Sequence, residues 1–382
     1  MYIFIGIFIF LTGILKRKKI TILLSILLLS IISSVRYNVG GDYISYKWIF
    51  NTIQSGEVVN IEKGYYILNK IIPNYPLLLF IITFFSLFLI FFALREIFQG
   101  FEIFLFSMYV YFYYLQWNLG TIRQGISIAI FILSITFLQR KKYIKYCFII
   151  LSACLFHKTS IILLPLFLLP FFSWKFWLTT FSILIFLKDL IIRTIFNMII
   201  HLNMPYVSYV SGSIKNSFGF QNIGFVFIGR IIMYFIFLTC LKKFKNKFTK
   251  EEGNYLKLLN KLFLCMLFLN LFLKDFGIAM RMIKYFEVLC LISIIWIILK
   301  IFKNKKLIKV CFLFLGVVYF FNYIRISETY YPYETIFSEH LYASKEYRIH
   351  PLKYKKIKNR LEKEGFTEKE IEQEFIRMGV KE

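Results

Sequence analysis

PLLLFIITFFSLFLIFFAL, residues 76–94, runs for 19 positions without a charged side chain. As a helix rising 1.5 Å per residue it is roughly 28 Å long, close to the ~30 Å hydrocarbon thickness of a bilayer. The rest of the chain repeats this pattern. Of its 382 residues 59% are hydrophobic and 20% aromatic, with a mean hydropathy of +0.67. That is more apolar surface than a water-soluble fold can cover, so the chain uses lipid as its solvent. The 47 phenylalanines and 26 tyrosines suit packed helix bundles and membrane interfaces. The expected fold is all-α: a polytopic integral membrane helix bundle.

Twelve stretches are apolar enough to span: Tyr2–Leu15, Ile20–Val35, Pro76–Leu94, Ile103–Leu115, Ile122–Leu138, Tyr143–Phe156, Ser160–Phe172, Phe176–Leu187, Gly224–Leu241, Leu258–Leu273, Ile283–Phe302 and Leu307–Ile324. Several fall short of the roughly 20 residues a bilayer asks for and require local thinning or flanking residues. The first has its basic group after it, the reverse of a cleavable signal, and reads as a span.

Lys and Arg number 47 against 21 Asp and Glu, a net charge of +26. The charges lie in short patches between apolar runs, which is a topology signal and a poor fit to nucleic-acid binding. Lys16–Lys19, Arg140–Lys145, Lys242–Lys250 and Lys303–Lys306 fall on one side by parity, and surplus positive charge makes that side cytoplasmic. The six cysteines lie in or beside apolar runs without metal-ligand spacing and read as small buried apolar groups. No metal and no cofactor is expected. A charged stretch, residues 341–382, follows the membrane domain of residues 1–340. In it Thr367 and Glu370 have capping-box spacing, Ile371, Phe375 and Met378 form a stripe, and Gly379 stops the helix. A small soluble helical tail is expected there. Parity puts this basic tail outside, against the charge rule, unless one span near the end is miscounted.

The same parity collects the polar oddities on the outer face: residues 36–75, the QWNLGT turn before Arg123, the HKTS turn at His157, residues 188–223, and KDFGIAMR ending at Arg281. Long loops in compact proteins tend to carry function. In RYNVGGDYISY, residues 36–46, the glycines Gly40 and Gly41 let the chain turn and gather Arg36, Asp42, Tyr43 and Tyr46; interfacial anchoring explains Arg36 and the tyrosines as well. Arg123 and Gln124 open a span whose Gly125, Ser127 and Ala129 also suit close helix packing. His157 is a proton acceptor near neutral pH or a turn residue bonded to backbone. His201, His340 and His350 read as solvated. Arg230 sits inside an apolar run, where a charge costs at least ~2.5 kcal/mol and calls for a polar cavity or an anion. Lys284 and Glu287, three apart, pair with each other and leave Arg281 to other partners.

Four guanidiniums, Arg36, Arg123, Arg230 and Arg281, thus gather near the outer leaflet with one carboxylate and one histidine. Guanidinium forks match phosphate oxygens. A lipid-borne diphosphate suits such a constellation.

R-x-x-x-G-x-D-Y-x-x-Y (Arg36, Gly40, Asp42, Tyr43, Tyr46), followed by TIRQGISIAIF with Arg123 and Gln124, LFHKTSIILLPL with His157 and Ser160, and a late span carrying an arginine, resembles the EpsG family of membrane polysaccharide polymerases over about residues 1–340. Members are similar to Wzy-type enzymes. The resemblance implies a glycosyltransferase in the bacterial inner (cytoplasmic) membrane. It would join polyprenyl-diphosphate-linked oligosaccharide repeats on the outer face into exopolysaccharide, capsule or O-antigen, beside other polysaccharide-assembly proteins. The expected roles follow from it. Arg123, Arg230 and Arg281, with Arg36, Tyr46 and Gln124, would hold the donor, and His157 or Asp42 would take the acceptor proton. Tyr43, Tyr46, Trp48 and Trp117 would stack on sugars or anchor the interface. An O-acyltransferase modifying the same polymer, a lipid-linked oligosaccharide transporter and a scaffold are the rival classes. The absence of internal repeats weakens the transporter reading.

Overall fold

The computed structural model describes all residues except 15–18, 192–193, 195–224, 273–276, 328, 338–350, 364–365 and 378–382. Much of the first basic cluster, nearly all of the 188–223 stretch, His201, His340, His350, Met378 and Gly379 therefore lie outside the described residues. In chain order the helices are α1 (Tyr2–Ile14), α2 (Lys19–Val35), α3 (Tyr43–Gln54), α4 (Lys63–Ile71), α5 (Tyr75–Ile97), α6 (Glu102–Tyr109), α7 (Ile122–Gln139), α8 (Tyr143–Cys154), α9 (Trp174–Phe186) and α10 (Phe225–Phe244). They continue with α11 (Lys250–Phe272), α12 (Gly277–Ile301), α13 (Lys305–Ile326), α14 (Pro351–Lys363) and α15 (Glu368–Arg377). A π-helix, Val110–Gly120, and a 3₁₀ helix, Lys158–Phe171, interrupt the series.

Five described helices are long and apolar enough to cross a membrane: α5, α7, α11, Arg281–Ile301 of α12, and α13. Shorter apolar helices accompany them at Tyr2–Ile14, Ile20–Val35, Tyr143–Cys154, Lys158–Phe171 and Trp174–Phe186. The chain is an all-α membrane protein, with fewer crossing-length helices among the described residues than the twelve stretches expected.

Two departures from the expected elements have physical causes. QWNLGT is no turn: the helix expected to end near Leu115 continues to Gly120 with π geometry. Its tyrosines are fixed from several sides, Tyr111 donating to the Gly6 carbonyl at 2.7 Å, Tyr114 to the Leu29 carbonyl at 2.6 Å and Tyr109 to Asn118 Oδ1 at 3.1 Å. Such wide turns often mark functional places. The Ser160–Phe172 stretch is a 3₁₀ helix with Pro165 and Pro170 inside it. At ~2.0 Å rise per residue this geometry carries a short apolar run further than an α-helix would.

The chain forms two compact units. The first comprises Met1–Leu133, Ser152–Lys158 and Lys306–Glu382. In it α2 packs along α5, and α1 along α6. Small polar residues line the α2–α5 seam, where the Thr83 hydroxyl donates to Ser33 Oγ at 2.8 Å with Ser30 and Ser86 buried nearby; such residues let membrane helices approach closely. α5 starts cleanly because Asn74 Oδ1 accepts from the Leu77 N–H at 2.9 Å and Pro76 follows. Arg36–Tyr37 (β1) pairs antiparallel with Glu334–Thr335 (β2). The segment before β2 is strapped to the helix ends: Tyr2 donates to the Tyr330 carbonyl, Tyr333 to that of Ile32, and the Gly40 N–H to that of Thr329 at 2.9 Å.

The tail contributes α14 and α15 to this unit. The Thr367 N–H and hydroxyl both donate to Glu370 Oε2 at 2.8 Å, and the Glu370 N–H reaches Thr367 Oγ1 at 3.4 Å, the reciprocal pattern of a capping box. Those bonds hold the Glu370 carboxyl below its usual range. Leu361, Ile371 and Phe375 form a small core joined by Tyr354, Ile357 and, from α3, Ile44.

The second unit comprises Ser134–Leu151 and Thr159–Lys305. α11 packs against α9, α10 and α12, and α10 against α12.

Candidate active site

The first unit gathers three short segments around one carboxylate. Glu62 sits at the N-cap of α4, Arg123 in the first turn of α7, and His157 just past the end of α8. Two observations explain why they meet. The Ala153 carbonyl accepts from the Ser127 hydroxyl at 2.8 Å, tying the 152–158 segment to α7. The Leu155 carbonyl accepts from the N–H groups of Gly64 (2.9 Å) and Tyr65 (3.3 Å), docking the start of α4 on the same segment. Gly64 permits that docking, since a Cβ there would lie 2.8 Å from both Cβ and O of Leu155.

Glu62 is 9% exposed and divides its oxygens. Oε2 accepts from Arg123 Nη1 at 2.5 Å. Oε1 accepts from the Lys158 backbone N–H at 3.3 Å and stands 3.9 Å from His157 Nδ1. The latter is beyond a hydrogen bond but within ion-pair reach. The Arg123 guanidinium also lies over two rings, 5.1 Å from the centroid of Tyr46 and 5.6 Å from that of Tyr65, positions at which the ring quadrupole attracts a cation. Tyr46 donates to Asp42 Oδ2 at 3.1 Å. Burial pushes the Tyr46 hydroxyl far above its usual range, Asp42 adds to the rise and Arg123 opposes it, so Tyr46 remains a donor at any physiological pH.

Arg36 takes a different place. It is fully buried; its Nη1 donates to the Ser33 carbonyl at 3.0 Å, to Ser33 Oγ and to the Asn118 carbonyl at 3.4 Å, and its guanidinium faces the Tyr43 ring at 5.7 Å. It locks the end of α2 to the π-helix. Gly40 follows with φ +100°, its α-carbon against the Leu119 carbonyl, where no side chain fits. Gln124 is buried in α7, and Trp48 is exposed on α3.

Arg230 and Arg281 belong to the second unit. Arg230 is 4% exposed and donates to Asn270 Oδ1 and, at 2.6 Å, to Glu287 Oε2. Glu287 Oε1 takes Lys284 Nζ at 2.9 Å. The expected Lys284–Glu287 pair therefore exists, and the same carboxylate also compensates Arg230. Arg281 is exposed near the start of α12.

Sequence reasoning passed over Glu62 and Tyr65. Glu62 lies among Glu57, Lys63 and other polar residues and reads as solvated. The signal was available in its neighbours, because Arg123 at the lip of an apolar span requires a counter-charge and acidic residues are scarce in this chain. Among the described residues no group of His, Cys, Asp or Glu is placed to hold a metal ion.

Together these features define a multi-pass α-helical membrane protein with a buried ionic cluster at its helix ends. The chain belongs to the EpsG family, whose model matches residues 19–335. Membership implies a membrane polysaccharide polymerase-like role. No curated protein and no solved structure matches the chain.

Proposed function

We propose that this protein is a glycosyltransferase of the bacterial cytoplasmic membrane that polymerises polyprenyl-diphosphate-linked oligosaccharide repeats on the outer face. The observation that supports this most is the joining of Arg123, Glu62 and His157 beside Tyr46 and Tyr65, at the ends of the apolar runs. It offers a cation for a diphosphate, a base for a hydroxyl and aromatic faces for sugar rings.

In the reaction the acceptor hydroxyl attacks the anomeric carbon of the lipid-linked donor. The new C–O bond forms as the bond to the diphosphate breaks, and that electron pair leaves with the polyprenyl diphosphate. His157 takes the acceptor proton. Arg123 offsets charge growing on the leaving diphosphate. Its Nε is buried and donates to none of the described residues, so the group keeps bonding capacity beyond Glu62. Asp42 holds Tyr46 beneath the Arg123 guanidinium. Arg36 and Gln124 complete the substrate-binding residues assigned within this unit, Arg36 by fixing the chain before Asp42; Arg230 and Arg281, also expected to bind substrate, belong to the second unit.

The test uses purified protein in liposomes supplied with lipid-linked repeats extracted from a deletion strain of the host. Wild type gives long polymer, whereas H157A and D42A insert normally and leave single repeats on the lipid. Full-length polymer from H157A, or a host deletion that keeps glycan length and loses only acyl groups, would overturn the proposal.

A further inference from the structure

We propose that Glu62 is the positioning residue of this site, holding Arg123 with one oxygen and His157 with the other, so that donor and base are set by a single carboxylate. The inference rests on the proposed role of His157 as base and adds the group that makes it one.

The geometry carries it. Glu62 is largely withdrawn from solvent, and a carboxylate so placed needs partners on both oxygens. Oε2 has Arg123, and Oε1 has the Lys158 N–H. The same Oε1 faces His157 Nδ1 at 3.9 Å. Closure of that gap would make Nδ1 the nitrogen that donates to Glu62 and leave the Nε2 lone pair to receive a proton. When Nε2 takes the acceptor proton the ring becomes a cation, and Glu62 is the carboxylate within ion-pair distance of it. Catalytic contacts commonly stand long before substrate arrives and tighten afterwards. Among the described residues, the charged groups placed near His157 include Glu62 from α4, Arg123 from α7 behind that carboxylate, and Lys158 in its own segment. Asp42 on α3 reaches the group only through Tyr46.

Removing the Glu62 charge leaves Arg123 uncompensated and the imidazolium without its partner, two changes that both make His157 harder to protonate. The chain has four histidines, so labelling them and comparing spectra with H157A assigns the His157 titration in detergent. In Glu62→Gln the His157 midpoint is expected to fall, the acid limb of the polymerisation rate to move to lower pH with it, and the plateau rate to drop by roughly 10²-fold, the lower range of what general base catalysis supplies. Glu62→Asp, which keeps the charge, should hold the limb near its wild-type position, an outcome a purely structural role would not produce. A Glu62→Gln protein with unchanged His157 titration and acid limb overturns this inference, and the proposed chemistry survives it provided H157A still makes no polymer. Normal polymerisation by H157A overturns both.

Discussion

A single missing Cβ decides whether the ionic cluster can form. Gly64 lets the start of α4 lie against Leu155, and that contact carries Glu62 to the segment bearing His157. A Gly64→Ala methyl would meet backbone oxygen as well as a side chain, so α4 has to retreat; overpacking of this kind costs about 1–3 kcal/mol. The expected result is a lowered thermal midpoint in detergent together with polymerisation reduced more than insertion, measured on the same preparations. Unchanged activity would mean that Glu62 reaches its partners by another route. At this scale the sequence was legible where a residue contradicts its surroundings. Arg123 and Arg230 announce themselves as charges in apolar runs, and His157 as a base between spans. Glu62 does not, because its neighbours in sequence are polar and its partners, Arg123, His157 and Lys158, lie 61 to 96 positions away. Arg36 was legible as special, and two readings were open for it. Complete burial against Ser33 and Asn118 gives it a third character, that of a latch between α2 and the π-helix.

Among the elements, the long apolar helices could be read from composition alone, since α5 needs little more than an uncharged run, Asn74 and Pro76. The π-helix and the 3₁₀ helix could not. Helical periodicity shows when one face is apolar and the other polar, and Val110–Gly120 is buried nearly all round, so its turn width leaves no periodic trace. The tail was readable for the opposite reason: it is amphipathic, and Thr367 with Glu370 fixes where α15 begins. What the tail rests on was hidden, because Ile44 lies in a segment that gave no sign of a second partner. Phe375 is fully buried in the core joined by Ile44. Phe375→Ala removes a fully buried ring from that core, a loss in the range of 3–5 kcal/mol for well-packed sites, which a core this small cannot absorb. Brief trypsin treatment of the purified variant should therefore release fragments from α14 and α15, with their many Lys and Arg sites, while the membrane helices stay whole. Equal resistance in variant and wild type would show that the hairpin holds to α3 by other means.

For the whole molecule the decisive quantity is the distribution of charge along the chain. Lys and Arg exceed Asp and Glu by 26, and apart from the tail the surplus falls mainly in clusters that parity assigns to one face. Insertion energetics retain such clusters in the cytoplasm, and under the proposed topology α3, α4, Glu62 and the 155–158 segment would lie outside. The tail, basic yet packed on Ile44 of α3, would go with them, and in the proposed arrangement tertiary packing outweighs the charge rule that argues for the other side. Two cysteine substitutions in a cysteine-free background test this arrangement. Val58 lies between α3 and α4 and is 89% exposed; Lys141 lies in the basic turn between α7 and α8 and is exposed. Val58→Cys is expected to react with a membrane-impermeant maleimide on intact cells or, in a double-membraned host, on spheroplasts. Lys141→Cys should react only after the membrane is opened. The reverse pattern would place Glu62, His157 and Arg123 at the cytoplasmic surface, where an acceptor already carried to the outer leaflet cannot reach them, and outer-face polymerisation by this site would be ruled out by geometry alone.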